Sequence, residues 1–214
     1  MSEIRRVSEV AGYVKAPYLI NWMVKKGKVA SEAIRDHAGE VGTLVDICVQ
    51  NDIFETGFKD IVADDCRKEF DNCIDGWEAF KNKHPEFIEK ARKYRDNMQI
   101  ELVDKAKGLT GHPDFCFPDE LPDLKTSSSI KEDHWRQVVA YARMANAQLK
   151  YRITKLSIVW LDKKNAGNFK YVVVDNVKER NFWEDSFDRR LALMNEDSVY
   201  AELKRKQLEG EKLL

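Results

Sequence analysis

The chain lacks a long apolar run, since no stretch of its 214 residues approaches the roughly 20 hydrophobic residues that span a bilayer. The first ten residues also lack the apolar segment of a secretory signal. We therefore expect a protein without membrane contact. Its expected location is the cytoplasm of a bacterium or of a phage-infected host cell.

The chain has no excess of either charge, because 36 Lys and Arg stand against 37 Asp and Glu, for a net charge of −1. Any binding to nucleic acid must therefore come from local clusters of Lys and Arg. Hydrophobic residues make up 43% and charged residues 34%. This composition excludes a wholly disordered chain.

Cysteine is scarce and unpaired in the sequence. Cys48, Cys66, Cys73 and Cys116 form no CxxC motif. In a reducing compartment this spacing favours buried thiols over disulfides or a metal cage of cysteines.

Hydrophobic periodicity divides the chain into helical and mixed parts. Apolar residues recur at helical spacing within 18–24, 41–49 and 70–80, which predicts a helical region over residues 1–95. Alternation and β-branched runs then predict strands. These strands are expected at residues 98–106, 109–117, 123–126, 155–162 and 169–174.

Two helices complete the predicted order. One spans 130–149, with the serine hydroxyls at 127–129 as its N-cap, and a charged helix covers 179–214. The fold class that follows is α/β, with a mixed central sheet flanked by helices and a helical N-terminal region. Residues 1–95, 96–178 and 179–214 are expected to form one globular domain.

Two carboxylates stand out in the predicted strands. Asp114 lies in an otherwise apolar segment, where a buried charge is unfavourable unless it binds something positive. Nine residues later, Asp123 and Lys125 are two apart, so both side chains leave the same face of a strand. If the strands at 109–117 and 123–126 pair, the carboxylates converge on a hard divalent cation with a lysine beside them.

Phosphodiester hydrolysis uses such a combination. Oxygen ligands suit Mg²⁺, which acidifies a bound water and neutralises charge in the transition state. Lys125 would orient or deprotonate that water, or act as a further cation on the phosphate. Taken alone, the tripeptide Asp123-Leu124-Lys125 is also consistent with a pair of surface carboxylates, one of which forms an ion pair with Lys125.

A longer pattern surrounds these residues, because Gln137 and Tyr141 share a face of the following helix. Gly111-x-x-Asp114, Asp123-Leu124-Lys125-Thr126 and Gln137-x-x-x-Tyr141 resemble the PD-(D/E)xK nuclease superfamily. The closer resemblance is to its RecB-type exonuclease branch, which includes many phage and CRISPR-associated proteins.

This resemblance implies a restriction-endonuclease-like fold that uses Mg²⁺ or Mn²⁺. It implies that Asp114, Asp123 and the backbone carbonyl of Leu124 are metal ligands, and that Lys125, Gln137 and Tyr141 complete the catalytic set. The segment Gly42-Thr43-Leu44-Val45-Asp46 resembles a family helix that carries histidine where this chain has Asp46.

Two further expectations follow from the resemblance. Asp46 is expected to ligate or contact the metal, and Glu101, which is equally consistent with an exposed strand residue, resembles the family's upstream acidic residue. No cysteine lies beyond Cys116, which argues against an iron–sulfur cluster.

The function predicted is that of a metal-dependent DNA nuclease, by resemblance an exonuclease acting on ends or single strands. Lys25, Lys26 and Arg136, together with Gln137 and Tyr141, are the expected DNA contacts. Recombination or replication proteins are expected partners, and the small size favours a phage or mobile-element origin. The alternative is a DNA-binding or assembly protein that kept the fold and lost turnover.

Overall fold

The computed structural model describes residues 4–15, 17–58 and 61–211. The helices in this part of the chain are α1 (Val7–Ala11), α2 (Pro17–Lys26), α3 (Lys28–Phe54), α4 (Asp64–Lys83), α5 (Pro85–Lys93), α6 (Glu132–Leu149) and α7 (Val177–Glu211), with a 3₁₀ turn at Arg95–Asn97. The strands are β1 (Arg5–Arg6), β2 (Leu102–Asp104), β3 (Leu109–Gly111), β4 (Glu120–Lys125), β5 (Lys155–Leu161) and β6 (Phe169–Val174).

The larger sheet has the order β4-β5-β6. Its first two strands are parallel, with Asp123 opposite Ile158, and β5 and β6 form an antiparallel hairpin. Parallel neighbours need a crossover connection, which α6 supplies between β4 and β5. At the hairpin turn, Gly167 takes a φ of +70°, a conformation that side chains disfavour.

The α/β class with mixed sheets and flanking helices is confirmed. A single central sheet is not what forms, because the described strands divide into two three-stranded sheets. In the smaller one, β3 pairs in parallel with β1 and antiparallel with β2.

Apolar residues cover both faces of the larger sheet. Along β5, Leu156 and Ile158 join the core shared with α1, α6 and α7, whereas Val159 and Leu161 join the aromatic-rich core shared with α3, α4 and α5. Because alternate side chains of β5 enter two different cores, the sequence of β5 is an almost continuous hydrophobic run. Strands β4 and β5 are thus buried on both faces, whereas the edge strand β6 is partly exposed.

Two predicted strands are shorter than their sequence pattern indicated. Residues 98–101 lie outside β2 because Gln99 has a φ of +53°, which is incompatible with a strand. Residues 112–117 lie outside β3, where Pro113 offers no backbone N–H for a ladder. Phe115 and its apolar neighbours are nevertheless buried.

The predicted pairing of the two motif strands is wrong. Strand β3 and strand β4 belong to different sheets, so Asp114 does not reach Asp123 through a shared ladder. Strand β4 also begins earlier than expected, at Glu120. Helix α6 is capped by Lys131 rather than by the serines at 127–129.

The predicted helical segments 41–49 and 70–80 are confirmed within α3 and α4. Helix α3 passes close to the end of β4 at Gly42, where an added Cβ would lie 3.3 Å from the Thr126 hydroxyl. This close approach brings the Asp46 turn of α3 towards β4. None of the helices in the described part of the chain combines the length and apolarity that a membrane span requires.

Candidate active site

An acid and a lysine meet at the carboxyl end of β4. Asp123 is only 1% exposed, and its Oδ2 lies 2.6 Å from Lys125 Nζ. Within the described residues, Asp123 Oδ1 has no hydrogen-bond partner. Burial raises the pKa of Asp123 to about 7, against the lowering effect of Lys125.

Lys125 stays a cation in this arrangement. Burial lowers its pKa, but the carboxylates of Asp123 and Asp114 outweigh burial, and the net effect raises the pKa of Lys125. A lysine held in this way is a poor proton acceptor at neutral pH. Its chemistry is that of a fixed positive charge and hydrogen-bond donor.

Asp114 reaches the same place through its side chain. Its Oδ2 accepts a hydrogen bond of 2.7 Å from the backbone N–H of Leu124, the residue between Asp123 and Lys125. Its Oδ1 accepts another, of 3.1 Å, from Gln99 Nε2. A side-chain bond to β4 therefore replaces the strand pairing that the sequence had suggested.

Asp46 joins these residues from α3. Burial, together with the nearby Asp114 carboxylate, raises the pKa of Asp46 to about 7. Its Oδ2 accepts a hydrogen bond of 2.8 Å from Gln50 Nε2, one turn along the helix. Gln99 Nε2 also lies 3.4 Å from this oxygen, so one amide group bridges Asp46 and Asp114.

Gln99 is a site residue that sequence reasoning missed. Its left-handed backbone is held by a bond from its own N–H to the Pro113 carbonyl, at 2.9 Å. His112 Nδ1 lies 3.0 Å from the Gln99 carbonyl oxygen. Strained conformations held in this way concentrate at functional sites. In the sequence Gln99 looked like a polar strand position, and nothing local marked it.

His134 is a second residue that was missed. Burial, with the positive charges of Lys125 and Lys131, lowers the pKa of His134 to about 3. Its Nδ1 accepts a hydrogen bond of 3.2 Å from the Lys131 backbone N–H, which closes the first turn of α6. His134 is therefore a neutral imidazole beside the site.

Some of these residues line a cleft of about 720 Å³. The acidic and basic residues of its wall are Asp46, Asp114, Lys125 and Lys163. Backbone and hydroxyl groups of the segment after Asp123 complete the lining on the β4 side: Leu124, Thr126 and Ser127.

The charges in this cleft do not balance. The Asp114 carboxylate raises the pKa values of both Asp46 and Asp123, and the Lys125 cation lowers both. A buried carboxylate with one unpartnered oxygen is unfavourable unless a further cation neutralises it. The oxygen donors present fit a hard divalent cation such as Mg²⁺ or Mn²⁺.

The residues of the α6 motif lie beneath the cleft. Tyr141 is only 4% exposed, and Gln137 Nε2 donates a hydrogen bond of 3.3 Å to its hydroxyl. Burial raises the pKa of Tyr141, so its hydroxyl remains protonated. The ring lies directly against Gly111, where an added Cβ would be 2.3 Å from Tyr141 Cε1. Two motif residues that are distant in sequence are thus one packing unit.

Gly111→Ala is therefore expected to destabilise the fold by about 1–3 kcal/mol, because the methyl group forces the Tyr141 ring to move. Urea denaturation followed by circular dichroism measures the loss. The matched control is Gly39→Ala, since a Cβ at Gly39 would meet no atom of the described residues within 4 Å. Equal stability of both variants would contradict this packing account.

Other predicted residues lie elsewhere. Glu101 is exposed, stands outside the described cleft lining, and offers only its backbone carbonyl to Gln148. Lys25 and Lys26 are exposed in the last turn of α2 and are likewise not among the cleft residues. The metal contact of Glu101 stays a prediction.

Arg136 was expected to contact DNA, but its side chain lies inside the fold. Its side chain is buried and forms ion pairs with Glu132 and Asp133, while its Nε donates a 2.7 Å hydrogen bond to Ser186. Because these partners bind the guanidinium inside the fold, it is not available to bind a phosphate. Its role is to join α6 to α7.

Comparison with known proteins gives distant structural similarity alone. No protein-family model matches the chain, and no curated protein matches it. An alkaline exonuclease from Laribacter hongkongensis is similar at 15% identity and a TM-score of 0.42, covering 95% of this chain and 94% of that one.

A protein from Eubacterium rectale with a provisional exonuclease description is similar at 13% identity and a TM-score of 0.38. That similarity covers 72% of this chain and 68% of the other. Similarity at this level assigns no activity. The chemistry of this chain therefore rests on its own site.

Proposed function

We propose that this protein is a metal-dependent nuclease that hydrolyses phosphodiester bonds in DNA. The observation that carries the proposal is that Asp46, Asp114 and Lys125 line one open cleft, while the buried Asp123 contacts Lys125. Within the described residues, Asp123 is buried with a carboxylate oxygen that has no hydrogen-bond partner. When these carboxylates are ionised together, their burial is unfavourable unless a cation joins them.

Mg²⁺ or Mn²⁺ would be held by the carboxylates of Asp46, Asp114 and Asp123 and by the backbone carbonyl of Leu124. When bound, the metal supplies an acidified water and positive charge for the phosphoryl oxygens. Asp114 is fixed for this role because Leu124 and Gln99 hold its two oxygens. Preorganised ligands avoid rearrangement during the reaction.

Lys125 would act on the substrate. Its raised pKa keeps the ammonium charged, so it orients the attacking water or stabilises charge on the scissile phosphate rather than removing a proton. Thr126 and Ser127 line the same wall, where the Thr126 hydroxyl can donate a hydrogen bond to a phosphate oxygen. The Ser127 hydroxyl instead donates to the Ser129 carbonyl oxygen, at 2.7 Å. Lys163 supplies a further positive charge to the cleft.

The finer proposal is an exonuclease that acts on DNA ends or single strands, which rests on the RecB-type motif resemblance. The exposed Lys25 and Lys26 are the proposed auxiliary phosphate contacts.

The decisive assay incubates the purified chain with Mg²⁺ or Mn²⁺ on end-labelled linear DNA and on closed circular DNA. Release of labelled nucleotides from linear DNA alone is the expected result, and chelation should abolish it. Cleavage of the circle would replace the exonuclease proposal with an endonuclease. No cleavage of either substrate with either metal would refute the nuclease proposal.

A second candidate is a nuclease fold that binds DNA without turnover. The observations that favour it are Asp46 at the position of the family histidine and the direct 2.6 Å contact between Asp123 and Lys125. The same preparations distinguish the two, because this candidate predicts retarded DNA in a gel and intact label in the cleavage assay.

Metal affinity is expected to depend on pH. Since burial raises the pKa of Asp46 and Asp123 to about 7, a proton must leave before either carboxylate ligates a metal. Below that pH, affinity should fall by about tenfold per pH unit for each proton displaced, and it should level off above it. Calorimetric Mn²⁺ titration across this range tests the dependence, and a flat profile would contradict it.

The raised pKa values of Asp46 and Asp123 also make the stability of the metal-free fold depend on pH. This stability falls as the pH rises, whereas metal affinity increases. A raised carboxyl pKa means that the folded state prefers the protonated form, so this contribution to the free energy of unfolding is full at low pH. It is lost as the pH rises through about 7. Denaturation without metal is measured for wild type and Asp123→Asn across this pH range. The difference isolates the contribution of the Asp123 carboxyl group to the free energy of unfolding.

A further inference from the structure

A second group of metal-ligating side chains lies where α3 meets the first turn of α4. It consists of His37 on α3 and of Asp65 and Cys66 on α4. One potential ligand atom from each residue lies within 4.8 Å of the others. The proposed nuclease chemistry uses none of these residues.

The distances in this group match the spacing of ligands around zinc. Cys66 Sγ lies 3.6 Å from His37 Nδ1, and Asp65 Oδ2 lies 3.9 Å from the same nitrogen. Zinc bonds of about 2.3 Å to sulfur and 2.0–2.1 Å to nitrogen, at a tetrahedral angle, place those two ligand atoms about 3.6 Å apart. Asp65 needs only a small side-chain movement, which its exposed position permits.

The other ring nitrogen of His37 also has a partner. Glu69 Oε2 lies 3.7 Å from His37 Nε2, and the same oxygen lies 3.5 Å from Lys163 Nζ. Zinc-binding histidines usually direct the second N–H at a carboxylate, which fixes the ring and increases the basicity of the ligating nitrogen. Nδ1, which faces Cys66 and Asp65, is then left as the free ligand.

We propose that His37 Nδ1, Cys66 Sγ and the Asp65 carboxylate bind one Zn²⁺, with Glu69 as the positioning carboxylate. The Cys66 thiol loses its proton to solvent on binding, and a water fills the fourth position. A sulfur and nitrogen donor set selects zinc over Mg²⁺. The all-oxygen site around Asp114 has the donor atoms that suit Mg²⁺.

The bound ion would cross-link α3 to α4. Cys66 has no exposed surface, so the sulfur seals the inner side of the site, while Asp65 leaves the outer side open to solvent. Helix α3 also carries Asp46, and Lys163 connects Glu69 to the wall of the candidate active-site cleft. Zinc therefore stabilises the helix that delivers one proposed ligand of the other metal.

Cobalt titration of the full chain, freed of metal by chelation, tests this site. Co²⁺ bound to a thiolate gives a sulfur-to-cobalt charge-transfer band, which Mg²⁺ sites do not give. We expect one equivalent of Co²⁺ to produce the band and Zn²⁺ to displace it. Zinc should also raise the melting temperature, because it binds the folded chain preferentially.

The variants are chosen to separate this site from a different thiol and from the candidate active site. Cys66→Ser and His37→Gln should lose the band, whereas Cys48→Ser, which alters a thiol on α3, and Asp114→Asn should retain it. Glu69→Gln should weaken Zn²⁺ binding by about 10- to 100-fold. His37 is partly exposed, so His37→Gln tests the site even if Cys66→Ser fails to fold.

Three results would overturn the proposal. They are a wild-type chain with no charge-transfer band, a folded Cys66→Ser variant that keeps the band, and a band that disappears in Asp114→Asn. The third would place the cobalt in the candidate active site. Because the readout is spectroscopic, failure of the nuclease assay leaves the zinc test intact.

Discussion

Lys125→Ala is expected to retain metal and DNA binding while its rate of DNA cleavage falls by about a hundredfold to a thousandfold. The carboxylates hold the cation, whereas the lysine acts on the water or on charge that develops in the transition state. Its 2.6 Å contact with Asp123 places the ammonium where that charge would form. Its loss should therefore affect turnover rather than binding.

Single-turnover cleavage measures the rate for this variant, and calorimetric Mn²⁺ titration measures the metal. Lys164→Ala is the matched control, because it removes an equal charge from an exposed lysine outside the described cleft lining. Lys125→Arg keeps a positive charge with a different shape and should recover part of the rate. Undiminished cleavage by Lys125→Ala would show that the chemistry lies elsewhere in the chain.

Asp114→Asn is expected to lose metal binding and cleavage together. The asparagine oxygen can still accept the hydrogen bond from the Leu124 N–H, and Gln99 can turn its amide so that its oxygen accepts from the new NH₂ group, while one negative charge is removed. Two unit charges 4 Å apart interact by about 4 kcal/mol at an effective dielectric constant near 20. Metal affinity should therefore fall by about a hundredfold or more.

The same calorimetric titration measures this loss, with thermal denaturation as a check that the variant folds. Asp185→Asn, which neutralises an exposed carboxylate on α7, is the matched control and should bind metal as the wild type does. Asp114→Asn would have to bind Mn²⁺ normally for the proposed ligand role to be wrong. Normal metal binding with lost cleavage would instead make Asp114 a positioning residue.

The sequence alone predicted those features whose geometry depends on residues close together in the chain. Period-two alternation puts Asp123 and Lys125 on one face of β4, and their side chains meet. Helical spacing puts Gln137 beside Tyr141 on α6. The α/β class, the β5-β6 hairpin and the long helices could likewise be predicted, because each depends on neighbours within a few residues.

Only the tertiary structure decided how distant segments meet. Asp114 reaches β4 through a side-chain bond to Leu124 rather than through strand pairing, and Gln99 bridges it to Asp46, which lies 53 residues from Gln99. Arg136 looked available for phosphate until α7 covered it with Ser186. Such contacts depend on long-range packing and on backbone conformations such as the left-handed Gln99, which hydrophobic periodicity does not encode.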